Sequence, residues 1–281
     1  MAVPSVSLLI TGGTGSIGSA LARDALSLGF ERVCIFSRDE YKQALMREQM
    51  PDDRLRWFLG DVRERDRLRR ALEGVQCVIH AAALKRVEAG EFNPGEFVKT
   101  NVLGTLNLIE AAHDAGVERV VGLSTDKAFN PQNAYGATKL LMEKLLLAAN
   151  NARGLSGPRF AVTRFGNVAG SRGSVLDLWR MGYRTLTDPR CTRYWLAPKR
   201  AMSIVWEALD TMPEAPVIPH LPAYRLGDLA QAMGREELTP TGLRPGESLH
   251  EQLRDGESSE TAPRMTVEEL RRELAALDCA P

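Results

Sequence analysis

Residues 124–139 read STDKAFNPQNAYGATK. Tyr135 and Lys139 stand four apart, so on a helix they share one face. A lysine ammonium there would lower the phenol's pKa. The phenolate could then take a hydroxyl proton as a hydride leaves the carbon. Ser124 or Thr125 would orient that hydroxyl. Asp126 and Lys127, just upstream, add an acid and a base that oxidation alone does not need. A newly made ketone acidifies the neighbouring C–H, so a base beside it can remove that proton while an acid protonates a departing hydroxyl. Lys127 would be the base if burial and positive neighbours lowered its pKa, and Asp126 the acid if an apolar site raised its own. The same residues also read as an exposed Asp-Lys turn and a surface Tyr/Lys pair on an amphipathic helix.

Such a set needs elements to hold it. Short β-branched or aromatic runs, VSLLI (6–10), RVCIF (32–36), LRWFLG (55–60), VQCVIH (75–80), RVVGLS (119–124) and RFAVTRF (159–165), alternate with amphipathic or alanine- and leucine-rich stretches. This alternation predicts βαβ units: an α/β, Rossmann-like, doubly wound parallel sheet with helices on both faces. After Gly166 prolines multiply and the periodic pieces shorten. The expected division is a dinucleotide-binding core over residues 1–165 carrying Tyr135 and Lys139, and a smaller C-terminal substrate lobe over 166–281 that partly returns to the core. The tail TVEELRRELAALD reads as an amphipathic helix with no chemistry.

ITGGTGSIG (10–18) sits between the first strand and the first helix. Gly12, Gly15 and Gly18 let the backbone turn tightly and approach a pyrophosphate at the helix N-terminus. Thr14, Ser16 and Ile17 complete the loop. The second strand ends in Ser37-Arg38-Asp39, with Lys42 one turn on. A hydroxyl, a guanidinium and an ammonium suit the 2′-phosphate of NADP. The alternative is NAD, with Asp39 accepting from the ribose. Asp61 and Val62 fit the adenine edge, Ala81 and Ala82 let the backbone pass close to the cofactor, and Asn101 is assigned to the same site. Lys85 faces cofactor, substrate or solvent.

The 281 residues carry 36 basic and 36 acidic side chains, which excludes a sequence-wide basic field for nucleic acid and gives no charge asymmetry toward a membrane surface. The run RERDRLRR interleaves acids and reads as a solvated helix face. Cys34, Cys77, Cys191 and Cys279 form no CxxC or Cys/His cluster, so no metal is expected and a reducing compartment is favoured. No stretch approaches the roughly 20 apolar residues of a membrane span. The expectation is a soluble, cytoplasmic protein.

STDKAFNPQNAYGATK, HAAALKRVEAGEFNPGEFVKTNVLGTLN (80–107), RFGNVAGSRGSV (164–175) and GLRPGESLHEQL (242–253) together resemble the UDP-N-acetylglucosamine 4,6-dehydratases of the extended short-chain dehydrogenase/reductase group, most closely the soluble C5-inverting type. The resemblance runs from about Ser7 to Leu253. It implies that Thr125, Asp126, Lys127, Tyr135 and Lys139 carry the chemistry. The implied steps are C4 oxidation with hydride passing to NADP⁺, removal of the C5 proton by Lys127, protonation of the C6 hydroxyl by Asp126, and hydride return to C6. It also implies the 2′-phosphate role of SRDExxK and a UDP-sugar held by Lys85, Asn167, Ser174, Val175, Arg193, Arg244 and Glu247, usually in a homo-oligomer. The sequence departs from the pattern at LDLWRM (176–181), around TRYW and at Glu88, which bears on the sugar's identity more than on the reaction type.

Overall fold

The structure is a computed structural model that describes residues 6–235 and 237–278, so Cys279 lies outside the described residues. Six strands form one parallel sheet: β1 (Ser7–Thr11), β2 (Arg32–Ser37), β3 (Leu55–Leu59), β4 (Cys77–His80), β5 (Arg119–Leu123) and β6 (Arg159–Thr163), in the order β3-β2-β1-β4-β5-β6. The order reverses at β1, so the C-terminal ends of β1 and β4 open a crevice where ligands bind in such sheets. The inner strands are buried on both faces, which is why they read as continuous apolar runs and not as alternation, while the edge strand β3 is partly exposed.

The helices are α1 (Ser16–Ser27), α2 (Glu40–Gln49), α3 (Arg65–Ala71), α4 (Val87–Phe92), α5 (Pro94–Phe97), α6 (Gly104–Ala115), α7 (Ala134–Ala152), α8 (Val175–Arg180), α9 (Pro198–Thr211), α10 (Leu226–Ala232) and α11 (Val267–Asp278). A π-helical stretch, Val98–Leu103, runs into α6, and a short 3₁₀ turn, Asp126–Ala128, follows β5. Helices α3, α6 and α7 cover one sheet face around Leu9, Val78, Val120 and Val162. On the other face α1 and α9 share a core with Leu8, Ile10, Ile35 and Val121. Residues beyond 166 therefore contribute to the sheet's own core through α9. A third cluster, with Trp179, Trp195, Leu229, Leu270 and Leu274, packs α8, α10 and α11 together. The tail helix thus buries its apolar stripe against its own chain.

The RERDRLRR segment spends its charges in surface ion pairs, Arg63 with Asp61 and Glu96 and Arg65 with Asp114. Among the described residues no helix is long and apolar enough to cross a membrane, and no group of His, Cys, Asp or Glu is placed to hold a metal ion. Cys34, Cys77 and Cys191 are buried free thiols, and burial pushes Cys77 up to about 11.

One buried ion pair fastens α7 to what surrounds it. Arg164 Nε and Nη2 donate to the two oxygens of Glu143 at 2.9 and 2.5 Å, and Arg164 Nη1 donates to Leu253 O at 3.0 Å. Breaking such a pair strands a buried charge, at about 3–5 kcal/mol. In urea unfolding, Arg164→Met should lose stability on that scale, while the Arg164→Met/Glu143→Met double variant should recover most of it.

Candidate active site

The glycine loop ends β1 and starts α1. Gly12 has φ +65°, and a Cβ there would sit 2.8 Å from Ala82 N. The loop therefore lies directly against the Ala81-Ala82 turn after β4. That turn is fixed by His80, whose Nδ1 and Nε2 contact the hydroxyls of Thr11 (2.8 Å) and Thr105 (3.2 Å), while Ala82 N donates to Thr11 Oγ1 at 3.2 Å. Burial, helped by Lys139, pushes His80 down to about 3, so it stays neutral. It is a structural histidine.

Between these turns lies a cleft of about 650 Å³. Gly12, Thr14, Gly15, Ser16, Ile17 and Gly18 line its floor. Ser37, Arg38 and Lys42 stand along one end with Asp61 and Val62, and Ala81, Ala82, Lys85, Tyr135 and Lys139 line the rest. Gly15, the α1 N-cap, carries no side chain to satisfy the first-turn N–H groups, which leaves them for an anion. The donor set and the glycine cradle fit a dinucleotide. Asn101 departs from its assignment. It is 1% exposed and outside the cleft lining, with Oδ1 accepting from Leu84 N (2.9 Å) and Nδ2 donating to Leu84 O (3.0 Å) and Thr138 Oγ1 (3.1 Å). It braces the turn carrying Lys85 against α7. Residues the sequence reading left out include Arg172, whose N–H donates to Ser16 Oγ (3.0 Å) and whose carbonyl accepts from Lys85 Nζ (3.1 Å), tying the 171–172 loop across the cleft.

Asn133 caps α7 by accepting from Gly136 N at 2.7 Å, which sets Tyr135 and Lys139 on one face of that helix. Lys139 Nζ donates to Leu123 O (2.5 Å) and lies 2.8 Å from Met142 Sδ. Burial, against a smaller pull from Glu143, brings it down to about 7. The expected lowering of Tyr135 by Lys139 is not what the site does. Burial holds the phenol above its ordinary range, and the opposing influences come from the Thr125 hydroxyl and the Lys127 ammonium. Ser124 Oγ is buried, lines the cleft and has no partner, so of the two candidate hydroxyls it is the free one. Thr125 Oγ1 is spent on Asp126 Oδ1 at 2.9 Å.

Asp126 is enclosed, Lys127 is partly exposed and lines a second cavity, and neither lines the glycine-loop cleft. Asp126 is 1% exposed, and its Oδ1 also accepts from Lys127 N (2.9 Å) and Lys127 Nζ (3.1 Å). Its Oδ2 has no partner and lies against Gly166, where a Cβ would come within 2.8 Å. Lys127 Nζ also pairs with Glu251 at 3.0 Å. Burial alone would lower the Lys127 pKa, but Asp126 and Glu251 outweigh it and hold the amine charged, well above the usual lysine range. The expected lowered pKa is therefore absent from the resting site, because two carboxylates face the amine where positive neighbours were foreseen.

The sugar-side residues are not gathered in the cleft. Asn167 is exposed, Ser174 caps α8 and Val175 packs on the third core cluster. Arg193 is nearly enclosed: its guanidinium donates to the carbonyls of Thr192, Leu249 and Ser248 at 2.7, 3.1 and 3.0 Å and lies 3.6 Å from Glu251. Those donors are committed to the protein, contrary to the diphosphate contact expected of them. Arg244 is half exposed, pairs with Glu88 at 3.2 Å, and has its N–H bound by Glu247 at 2.9 Å.

The sequence matches the family described as polysaccharide biosynthesis protein over residues 8–270. The chain belongs to that family. It is 43% identical over 253 residues to the UDP-N-acetylglucosamine 4,6-dehydratase (inverting) of Campylobacter jejuni, covering 87% of this chain and 76% of that one. It is 40% identical over 261 residues to the UDP-glucose 4-epimerase of Rickettsia rickettsii, with 88% and 76% covered. Among solved structures it is similar to Pen from Bacillus thuringiensis, with a TM-score of 0.92, 32% identity and 99% of each chain covered.

Two measurements check this geometry. Gly12→Ala forces a side chain into left-handed backbone against Ala82, so it should lose about 1–3 kcal/mol in urea unfolding together with most dinucleotide affinity. Lys139 titrates near 7 folded but near its ordinary value of 10.5 unfolded, so the unfolded chain binds more protons between those limits. Its contribution is complete above the unfolded value and is lost as pH falls through 7. The stability of the wild type relative to Lys139→Met should therefore rise from pH 7 toward 10.5, and a flat difference would contradict the assignment.

Proposed function

We propose that the chain is an NADP-dependent nucleotide-sugar 4,6-dehydratase that acts on UDP-N-acetylglucosamine and inverts C5. The observation that carries this reading is the buried Asp126–Lys127 contact of 3.1 Å beside Tyr135. An alcohol oxidation has no use for it. The name of the Campylobacter jejuni relative supports the same reaction.

NADP is favoured over NAD by what Asp39 does. Its carboxylate caps α2, accepting from Lys42 N at 3.0 Å and pairing with Lys42 Nζ at 2.7 Å. It is turned back onto its own helix, and it lines the cleft end beside Ser37, Arg38 and Lys42. The exposed Lys42–Asp39 and Arg38–Asp61 pairs cost little to exchange for a phosphate. The glycine loop with Ser37, Arg38 and Lys42 would hold NADP⁺ in the cleft, where it would supply the hydride chemistry at C4 and C6.

The protein's part is proton handling. In its phenolate form, favoured by the Lys127 ammonium, Tyr135 takes the C4 hydroxyl proton at its phenolic oxygen while Ser124 Oγ holds the substrate oxygen. One proton then crosses the 3.1 Å contact from Lys127 Nζ to Asp126 Oδ1. That transfer turns the ion pair into a neutral amine and a carboxylic acid, which are the base and the acid that elimination requires. The amine takes the C5 proton, and the Asp126 carboxyl protonates the C6 hydroxyl, which leaves as water. Those two transfers restore the ammonium and carboxylate of the resting site. Hydride return to C6 is matched at C5 by a proton delivered from the opposite face, the one that Tyr135 received from C4 and that exchanges with solvent, which gives the inverted 6-deoxy-4-keto sugar and returns Tyr135 to its starting form. Arg244, exposed and paired only with Glu88, is the guanidinium that can swing onto the diphosphate.

A 4-epimerase, as the Rickettsia rickettsii relative is named, would need Ser124, Tyr135 and Lys139 alone. Incubation with UDP-N-acetylglucosamine and NADP⁺ in deuterated water should yield a 4-keto-6-deoxy sugar with deuterium at an inverted C5, read by NMR. Lys127→Ala should cut product formation by roughly 10²–10⁴-fold, the usual worth of a general base. A C4 epimer as product, or a Lys127→Ala variant of near-normal activity, would reject the dehydratase.

A further inference from the structure

Glu251 belongs to none of the residues that the reaction needs by type, yet it meets Lys127 as closely as Asp126 does. It is 6% exposed, and its Oε1 lies 3.0 Å from Lys127 Nζ. Its backbone is built into the lobe: Glu251 N donates to Ser259 Oγ at 2.8 Å, and Ser259 N donates to Glu251 O at 2.8 Å. Ser259 is fully buried, and its hydroxyl donates to Thr192 O at 3.1 Å. Arg193, held to the carbonyls of Ser248 and Leu249 in the same segment, stands 3.6 Å from the same carboxylate oxygen. The fold therefore fixes the Glu251 backbone, and Arg193 and Lys127 share one oxygen of its carboxylate. A cavity of about 260 Å³, lined by Lys127, His250, Glu251 and Glu260 among others, shares no lining residue with the cofactor cleft. The amine thus has a polar side of its own, and Glu251 stands on it.

We propose that Glu251 is the positioning residue for the Lys127 amine: it pins the amine in reach of Asp126 and keeps it charged until a proton crosses to that aspartate. This rests on the dehydratase reading of the site. A neutral apolar side chain would fill the space but would leave Lys127 with one carboxylate partner and Arg193 with none. With Glu251 present, the idle site stays an ion pair. The amine becomes a base only by the internal transfer to Asp126, so acid and base arise together and neither appears alone. The charged and titratable groups around the amine are Asp126, Glu251, Arg193, Tyr135 and Tyr224, with His250 and Glu260 across the cavity.

The test is Glu251→Gln in the full chain with NADP⁺ bound, read in two ways. The pH profile of deuterium entry at C5 of UDP-N-acetylglucosamine should move its alkaline limb down by about one to two pH units, because one opposite charge has left the ammonium, which then loses to solvent the proton that Asp126 must receive. Its maximal rate should fall about tenfold or more as the amine loses its pin, while NADP⁺ affinity holds. Glu251→Asp keeps the charge and should keep the limb near that of the wild type. ¹⁵N NMR of the Lys127 amine, assigned through Lys127→Arg, should show the same downward shift without turnover. In the wild type that amine should still be an ammonium at pH 10.5, the ordinary lysine value. A rate lowered equally at every pH with an unmoved limb makes Glu251 a mere brace and overturns the proposal, as does a wild-type amine titrating at or below 10.5. A wild type that makes no 4-keto sugar rejects the dehydratase reading, and the amine titration then decides alone whether Glu251 governs Lys127.

Discussion

Burying an ammonium is tolerable only where opposite charge and hydrogen bonds replace the water it loses. Lys127 is the place where this chain faces that constraint, and the surrounding fold answers it twice. Asp126 comes from the 3₁₀ turn that ends β5, and Glu251 comes from the segment just before Gln252–Arg254 in the C-terminal lobe. The ion contact therefore stitches the sheet's C-terminal edge to the lobe that covers it. Arg193 and Ser259 bind the Glu251 side, and Thr125 binds the Asp126 side, so the charges are fixed before any substrate arrives. A preorganised site of this kind needs little rearrangement when a proton moves.

The same constraint separates two kinds of lysine in one site. Lys139 is buried with a carbonyl and a thioether for company, and it drifts toward neutrality near pH 7. Lys127 is buried with carboxylates and stays charged. Helix α7 presents the first and the 3₁₀ turn the second, only a few residues apart in sequence. Their opposite behaviour follows from neighbours, not from depth of burial. A lysine of near-neutral pKa suits proton exchange beside the phenol, while a clamped ammonium suits a base that must be released only on demand.

How far the sequence foretold this depends on the distance over which each contact acts. The six strands and their parallel pairing were legible because hydrophobic runs and glycine turns are local signals. The cofactor cleft was legible for the same reason: the loop, the SRD end of β2 and the two alanines after β4 each lie within a few residues of a strand end. Asn101 misled because its surroundings, a π-helical turn and Leu84, depend on how a helix start meets a strand end. Glu251 and the committed guanidinium of Arg193 were invisible, since both acquire their partners only when the lobe closes on β5. An LHEQL stretch read alone is an ordinary charged segment. The expected lowering of the Lys127 pKa, which rested on burial and positive neighbours, failed with it.

Asp126 shows why that missing neighbour matters for chemistry as well as for stability. One of its oxygens accepts three hydrogen bonds while the other has none and is walled by Gly166. A buried carboxylate oxygen without a donor costs free energy on the order of 1–3 kcal/mol or more unless something arrives to bind it. A hydroxyl of a bound sugar would satisfy it, and a proton delivered through Oδ1 from Lys127 would make the same group a donor. The orphaned oxygen, the glycine beside it and the two-carboxylate clamp on the amine are thus parts of one arrangement, in which the fold leaves one buried carboxylate oxygen unsatisfied.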